Sequence, residues 1–188
     1  MQLARTDVYT IEDIYALPEG HRAELIDGQI YAMALPDTMH QRILMELSAE
    51  IRGYIIKKQG QCEVFPAPFA VFLSGDDRNY VEPDISVICD KNKIDDRGCN
   101  GPPDWVVEIT SPSNPQMDHG IKLFKYRTAG VREYWIINPQ KKTIIVFDLE
   151  KEERTEEYKF EDDVPVCVYE GFVINIERLL KGRVLSDE

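Results

Sequence analysis

Asp104-Trp105-Val106-Val107-Glu108-Ile109-Thr110, then the polar segment 116–130, then Arg132-Glu133-Tyr134-Trp135-Ile136-Ile137, is the stretch whose reading decides the fold. The first run is apolar on both sides of a single Glu108, the pattern of a central strand covered on both faces. An ionisable group there is rarely buried unless it is paired or bound to metal. Gly130 closes a helix expected over 116–129, and the run after it reads as another strand. A strand, a helix and a strand in short succession predict a right-handed crossover and a parallel pair. On the helix, Asp118, Lys122 and Tyr126 recur at i, i+4 and i+8. Met117, Ile121, Phe124 and Thr128 form a separate, mostly apolar stripe that is expected to face the core.

Working upstream, Val81-Glu82-Pro83-Asp84-Ile85-Ser86-Val87 alternates so that Glu82 and Asp84 share one face of an expected strand over 81–89. Further strands are expected over 63–65, 69–73 and 143–149. A long helix capped by Asp37 or Thr38 runs to about Gln59, with Gly60 as its stop and Leu44, Leu47, Ile51, Tyr54 and Ile55 at helical spacing. Thr10 and Asp13 form a capping-box pattern for a short helix through Leu17. Asp27-Gly28 between 23–26 and 29–33 marks a tight hairpin. The fold class that follows is α/β (α+β), a mixed central sheet flanked by helices.

The chain has 188 residues, 43% of them hydrophobic, enough for one domain with one sizeable core spanning about 8–180. No leader pattern and no run of roughly 20 apolar residues is visible, so a cytoplasmic protein without membrane contact is expected. Cys62, Cys89, Cys99 and Cys167 match no zinc-knuckle spacing and read as buried or incidental thiols in a reducing compartment. The 34 acidic and 22 basic residues give a charge of -12, the reverse of the usual footprint of a nucleic-acid binder. Part of that excess is a block at Glu150, Glu152, Glu153, Glu156, Glu157, Glu161, Asp162 and Asp163. Ser111 and Ser113 follow a strand, but no Gly-x-Ser-x-Gly elbow surrounds them, which excludes a serine hydrolase.

If the strands of Asp84 and Glu108 are neighbours, the two carboxylates can converge on one Mg2+, with Mn2+ as a substitute and the Ile109 carbonyl as the third protein ligand. Lys122 beside such an ion can orient or deprotonate water and offset charge on a phosphorane. His40 lies at the start of the long helix and Glu24 in the first hairpin strand; each is open as a further ligand, a base or a phosphate contact.

These residues resemble a known group. Pro83-Asp84, Glu108 at a strand end and a nearby lysine look like the PD-(D/E)XK, restriction-endonuclease-like nuclease superfamily. More narrowly, Glu24-Leu25-Ile26-Asp27-Gly28, His40, Glu82-Pro83-Asp84, Val107-Glu108-Ile109-Thr110-Ser111-Pro112-Ser113 and the segment from Asp118 through Lys122 and Tyr126 to Trp135 resemble its family of uncharacterised restriction endonucleases. The resemblance implies a Mg2+-dependent endodeoxyribonuclease. The superfamily has a lysine two positions after the second acid, where this chain has Thr110, so Lys122, with Lys125 as the substitute, must supply the charge from the helix. The competing expectation is a nuclease-fold binding or regulatory protein without turnover. Tyr134, Trp135, Tyr169, Phe172 and Ile174 are expected either to pack in the core or to form the surface of a homodimer.

Overall fold

A computed structural model describes residues 8–110, 117–151 and 154–182, with the side chains of 117–119 and of Arg154 left aside. Ser111 and Ser113 lie outside the described residues, as does the side chain of Asp118.

Thr10 and Asp13 close a reciprocal capping box on α1 (Ile11–Tyr15). The hairpin follows as β1 (Ala23–Ile26) and β2 (Gln29–Ala32), with Asp27 at φ 52 and Gly28 at φ 75, the two left-handed residues that a type I′ turn demands. Helix α2 (Thr38–Lys57) starts at Asp37, whose carboxylate accepts the His40 N–H at 2.8 Å. It ends at Lys57, and Gln59, at φ 55, takes the left-handed stop expected of Gly60. The Gly60 N–H instead returns to the Ile55 carbonyl.

The main sheet has six strands. It comprises β3 (Glu63–Pro66), β5 (Ile85–Ile88), β8 (Trp105–Ile109), β9 (Glu133–Asn138), β10 (Thr143–Asp148) and β11 (Arg154–Lys159), in the spatial order β11-β10-β9-β8-β5-β3. The β8–β9 pair is parallel, with Glu108 opposite Ile136, and the other pairs are antiparallel, so the expected crossover and mixed sheet are present. The crossover helix opens as a π-helical turn (Met117–Lys122) and continues as α3 (Leu123–Ala129), closed by Gly130 at φ 99.

Each face of this sheet carries a core. On one side, Ile43, Leu44, Leu47, Ile51 and Ile55 of α2 meet Val107, Ile109, Trp135 and Ile137, joined by β12 (Val164–Pro165), β13 (Val173–Ile174) and α4 (Ile176–Leu180). On the other side, Tyr126 and Val131 cover Val106, Tyr134 and Ile136. A second sheet of β4 (Val71–Phe72), β6 (Ile94–Asp95) and β7 (Gly98–Asn100) completes that layer. Gly98 sits at φ 145, where a Cβ would come within 2.2 Å of the Ala70 carbonyl oxygen, so the backbones meet only because the residue is glycine.

Four expectations are corrected. The strand expected over 69–73 shrinks to Val71–Phe72, and that over 81–89 to Ile85–Ile88, because Pro83 cannot donate to a ladder. The polar stripe of the crossover helix is the buried one: Lys122 and Tyr126 are 5% and 0% exposed, while Ile121 and Phe124 are 40% and 62% exposed. The helix turns that way because Lys122 and Tyr126 satisfy Glu108, whose burial would otherwise go uncompensated. Cys62 and Cys89 are joined across β3 and β5 as a disulfide rather than being free thiols, so the expected reducing, cytoplasmic location loses its cysteine-based support. Cys99 and Cys167 remain thiols, pushed by burial up to about 11 and about 12. Of the two readings of the aromatic segments the core one holds: Tyr134 is buried on one face of the sheet, and Trp135, Phe172 and Ile174 are buried on the other, where Tyr169 packs against that core.

Glu133, fully buried on β9, fastens the C-terminal segment to the sheet. Its Oε1 accepts the Trp135 Nε1–H at 2.6 Å and the Cys167 N–H at 3.0 Å, and its Oε2 accepts the Val168 N–H at 2.8 Å. Burial raises its pKa above the ordinary 4.5 despite those donors. A raised carboxyl binds its proton in the folded chain after the unfolded chain has released it, so its contribution falls as pH rises from about 4.5 through the folded value. Urea midpoints should therefore show the stability difference between the parent and Glu133→Gln shrinking over that rise. A difference constant with pH would contradict the raised carboxyl.

Candidate active site

Strand register brings the two principal acids together. Ile85 pairs with Val107 in the antiparallel β5–β8 ladder, and the next step sets Asp84 across from Glu108. Asp84 is anchored by the Ile109 N–H, which donates to its Oδ2 at 2.7 Å, and by His40, whose Nε2 lies 3.1 Å from Oδ1. Helix α2 delivers His40 from its first turn. Burial opposes the imidazolium, but the hydrogen bond and charge of Asp84, helped by Asp37 and the Ile109 backbone, hold the His40 pKa above 6.5.

Glu108 accepts the Tyr126 hydroxyl at 2.7 Å and lies 2.9 Å from Lys122 Nζ. The same ammonium lies 2.8 Å from Glu24 Oε2 on β1, and all three charged side chains are between 5% and 7% exposed. Glu24 Oε1 also accepts the Glu82 N–H at 3.0 Å, so the hairpin strand is tied to the segment that leads into Asp84. Burial and the charge of Glu108 push Tyr126 well above 10, which keeps its hydroxyl a donor.

Glu24, His40, Asp84, Glu108, Ile109 and Lys122 all line one cavity of about 470 Å³. Lys125, the alternative lysine, pairs instead with Asp27 at the hairpin turn. Asp84 lines the cavity and Glu82 is not among its lining residues. Pro83 separates them, and the Glu82 carboxylate turns to Arg22 and to the Tyr80 hydroxyl, 2.5 Å from its Oε1. Arg22, missed in the sequence as one charge beside a hairpin strand, lines the cavity.

Sheet order also qualifies the charge objection. Glu156 and Glu157 sit on β11, the far edge of the sheet, and Glu161, Asp162 and Asp163 follow it in the chain. Three strand spacings, about 14 Å, separate that edge from β8. This exceeds the screening length of about 8 Å at physiological salt, so the acids on β11 act weakly at the cavity.

Two carboxylates, a backbone carbonyl and an imidazole are a donor set suited to a divalent ion. Among the described residues no three His, Cys, Asp or Glu side chains converge closely enough to hold one unaided. Among the described residues no helix is long and apolar enough to cross a membrane.

Comparison with known proteins places the chain in a family. The chain is 33% identical over 103 residues to Uncharacterized protein slr1290 of Synechocystis sp., a match covering 55% of this chain and about half, 53%, of that protein. A solved structure described as "a putative nuclease belonging to DUF820", from Anabaena variabilis ATCC 29413, superposes with a TM-score of 0.73 at 26% identity, covering 92% of this chain and 97% of that one. A family model described as "Putative restriction endonuclease" matches residues 11–177, and on that extent the chain belongs to the Uma2 family.

Proposed function

We propose that this protein is a Mg2+-dependent endonuclease hydrolysing phosphodiester bonds of DNA. Family membership and the nuclease-like neighbour support a nuclease function. The observation that carries the finer reading is the meeting of Asp84, Glu108 and Lys122 in one cavity. Asp84 and Glu108, with the Ile109 carbonyl, would hold the ion, and Mn2+ would substitute. When bound, the ion lowers the pKa of water and neutralises phosphate charge.

The remaining work falls to the chain's own groups. Lys122 places a fixed ammonium where charge builds on the phosphoryl oxygens as water attacks. Glu24 holds that ammonium in place and Tyr126 orients Glu108. His40 and the Ile109 N–H fix the rotamer of Asp84. His40 and Glu24 are thus positioning residues in this reading. The test is incubation of purified protein with plasmid and with single-stranded DNA in Mg2+ or Mn2+. Cleavage that EDTA abolishes is expected, and failure to cut any nucleic acid under either metal would sink the proposal.

A second reading is favoured by one observation: Lys122 already bridges two buried carboxylates, an arrangement that could serve structure alone. A nuclease-fold binding protein would follow. Calorimetric Mn2+ titration separates the two, because the nuclease reading requires binding that Asp84→Ala removes.

A further inference from the structure

We propose that the cavity takes its substrate as an unpaired strand, with Arg22 gripping a phosphate and Leu35 packing against an unstacked base. The inference rests on the nuclease reading of the same cavity and adds the form of nucleic acid it accepts.

Arg22 is held in place for such a role. Its Nε donates to Glu82 Oε2 at 2.9 Å, its Nη2 contacts the same oxygen, and Tyr80 pins the other Glu82 oxygen. Glu82 is 7% exposed, whereas the Arg22 side chain is 40% exposed and lines the cavity. A guanidinium with one edge fixed on a buried carboxylate and another turned to solvent is preorganised for phosphate. The Arg22 carbonyl accepts the Met33 N–H at 3.0 Å, so the segment leading to Leu35 begins directly across the hairpin from Arg22. Leu35 is 95% exposed on the cavity rim, an apolar side chain open to solvent.

Size and charge select the strand form. About 470 Å³ lies within the range of small-ligand pockets and is of a size to take one unstacked nucleotide. Duplex affinity grows with the number of phosphates neutralised, and among the described residues lining the cavity the basic side chains are Arg22, His40 and Lys122, the last two already paired with carboxylates. Binding through one or two phosphates and an apolar base contact needs no basic surface.

The experiment measures anisotropy of a labelled oligonucleotide, single-stranded and as a perfect duplex, with the Asp84→Ala protein at fixed salt and without added metal. Binding to the single strand at least tenfold tighter is expected. In that background, Leu35→Ala should weaken single-strand binding by about fivefold. Arg22→Ala should weaken it similarly and make the salt slope shallower by about 0.7. Arg22→Lys, which keeps the charge but loses the fork, should recover part of the affinity and so guards against misfolding of the alanine variant. Equal or tighter duplex binding, or variants indistinguishable from their parent, would overturn the inference even if the parent enzyme cuts DNA. Conversely, a single-strand preference in a protein that never cuts would remove the nuclease reading and keep the strand preference.

Discussion

Asp84→Asn is expected to lower metal-dependent cleavage by about a thousandfold, the equivalent of roughly 4 kcal/mol of transition-state stabilisation withdrawn with a metal-binding charge. The change is close to isosteric. The amide oxygen can still accept the Ile109 N–H, and the side chain lies at the cavity wall and not in either apolar core. Stability should therefore hold, and a thermal melt within a few degrees of the parent would show that lost activity reflects lost chemistry. Glu108→Gln should reduce cleavage as much, with a larger cost in stability because its charge also compensates Lys122. Initial rates on single-stranded DNA and on plasmid across a Mn2+ titration provide the measurement. Residual activity within tenfold of the parent in Asp84→Asn, at any metal concentration, would refute the assignment of Asp84 as a ligand.

Much of this site was legible in the sequence because strand parity and apolar context are local signals. Glu108, alone in an apolar strand, had to be paired or bound, and the strand–helix–strand order predicted the parallel neighbour that buries it. What was illegible depended on long-range pairing. The crossover helix carries two candidate faces, and the apolar one looked like the core face until Glu108 was seen to draw Lys122 and Tyr126 inward. Glu24 carried no distinguishing mark in a short hairpin, and only folding brings it within 2.8 Å of Lys122. Strand β11 escaped notice because its charged sequence suits an edge, where acidic side chains also discourage pairing with another chain. The disulfide was likewise unreadable: Cys62 and Cys89, 27 positions apart, become neighbours only through the β3–β5 register, in which Glu63 faces Ile88.

Lys122 is where the two readings of this protein meet, and Lys122→Met should produce the largest stability loss among single changes at the site. Its Nζ is shared between Glu24 at 2.8 Å and Glu108 at 2.9 Å, with each side chain about 5–7% exposed. Methionine fills much of the lysine volume, so the loss is electrostatic more than steric: two carboxylates face each other in a poorly solvated pocket without their cation. Removing one partner of a buried ion pair typically costs about 3–5 kcal/mol. For a chain of this length that corresponds to a fall in Tm of roughly 6–20 °C. Adding Glu24→Gln to Lys122→Met should recover part of the loss, since the second substitution removes the repulsion created by the first. The metal-binding reading then makes a separate demand. If Lys122 only staples the hairpin to β8, the double variant, measured below its Tm, should cut DNA at a rate near that of the parent. If its ammonium offsets charge on the phosphoryl group, stability should recover and cleavage should not.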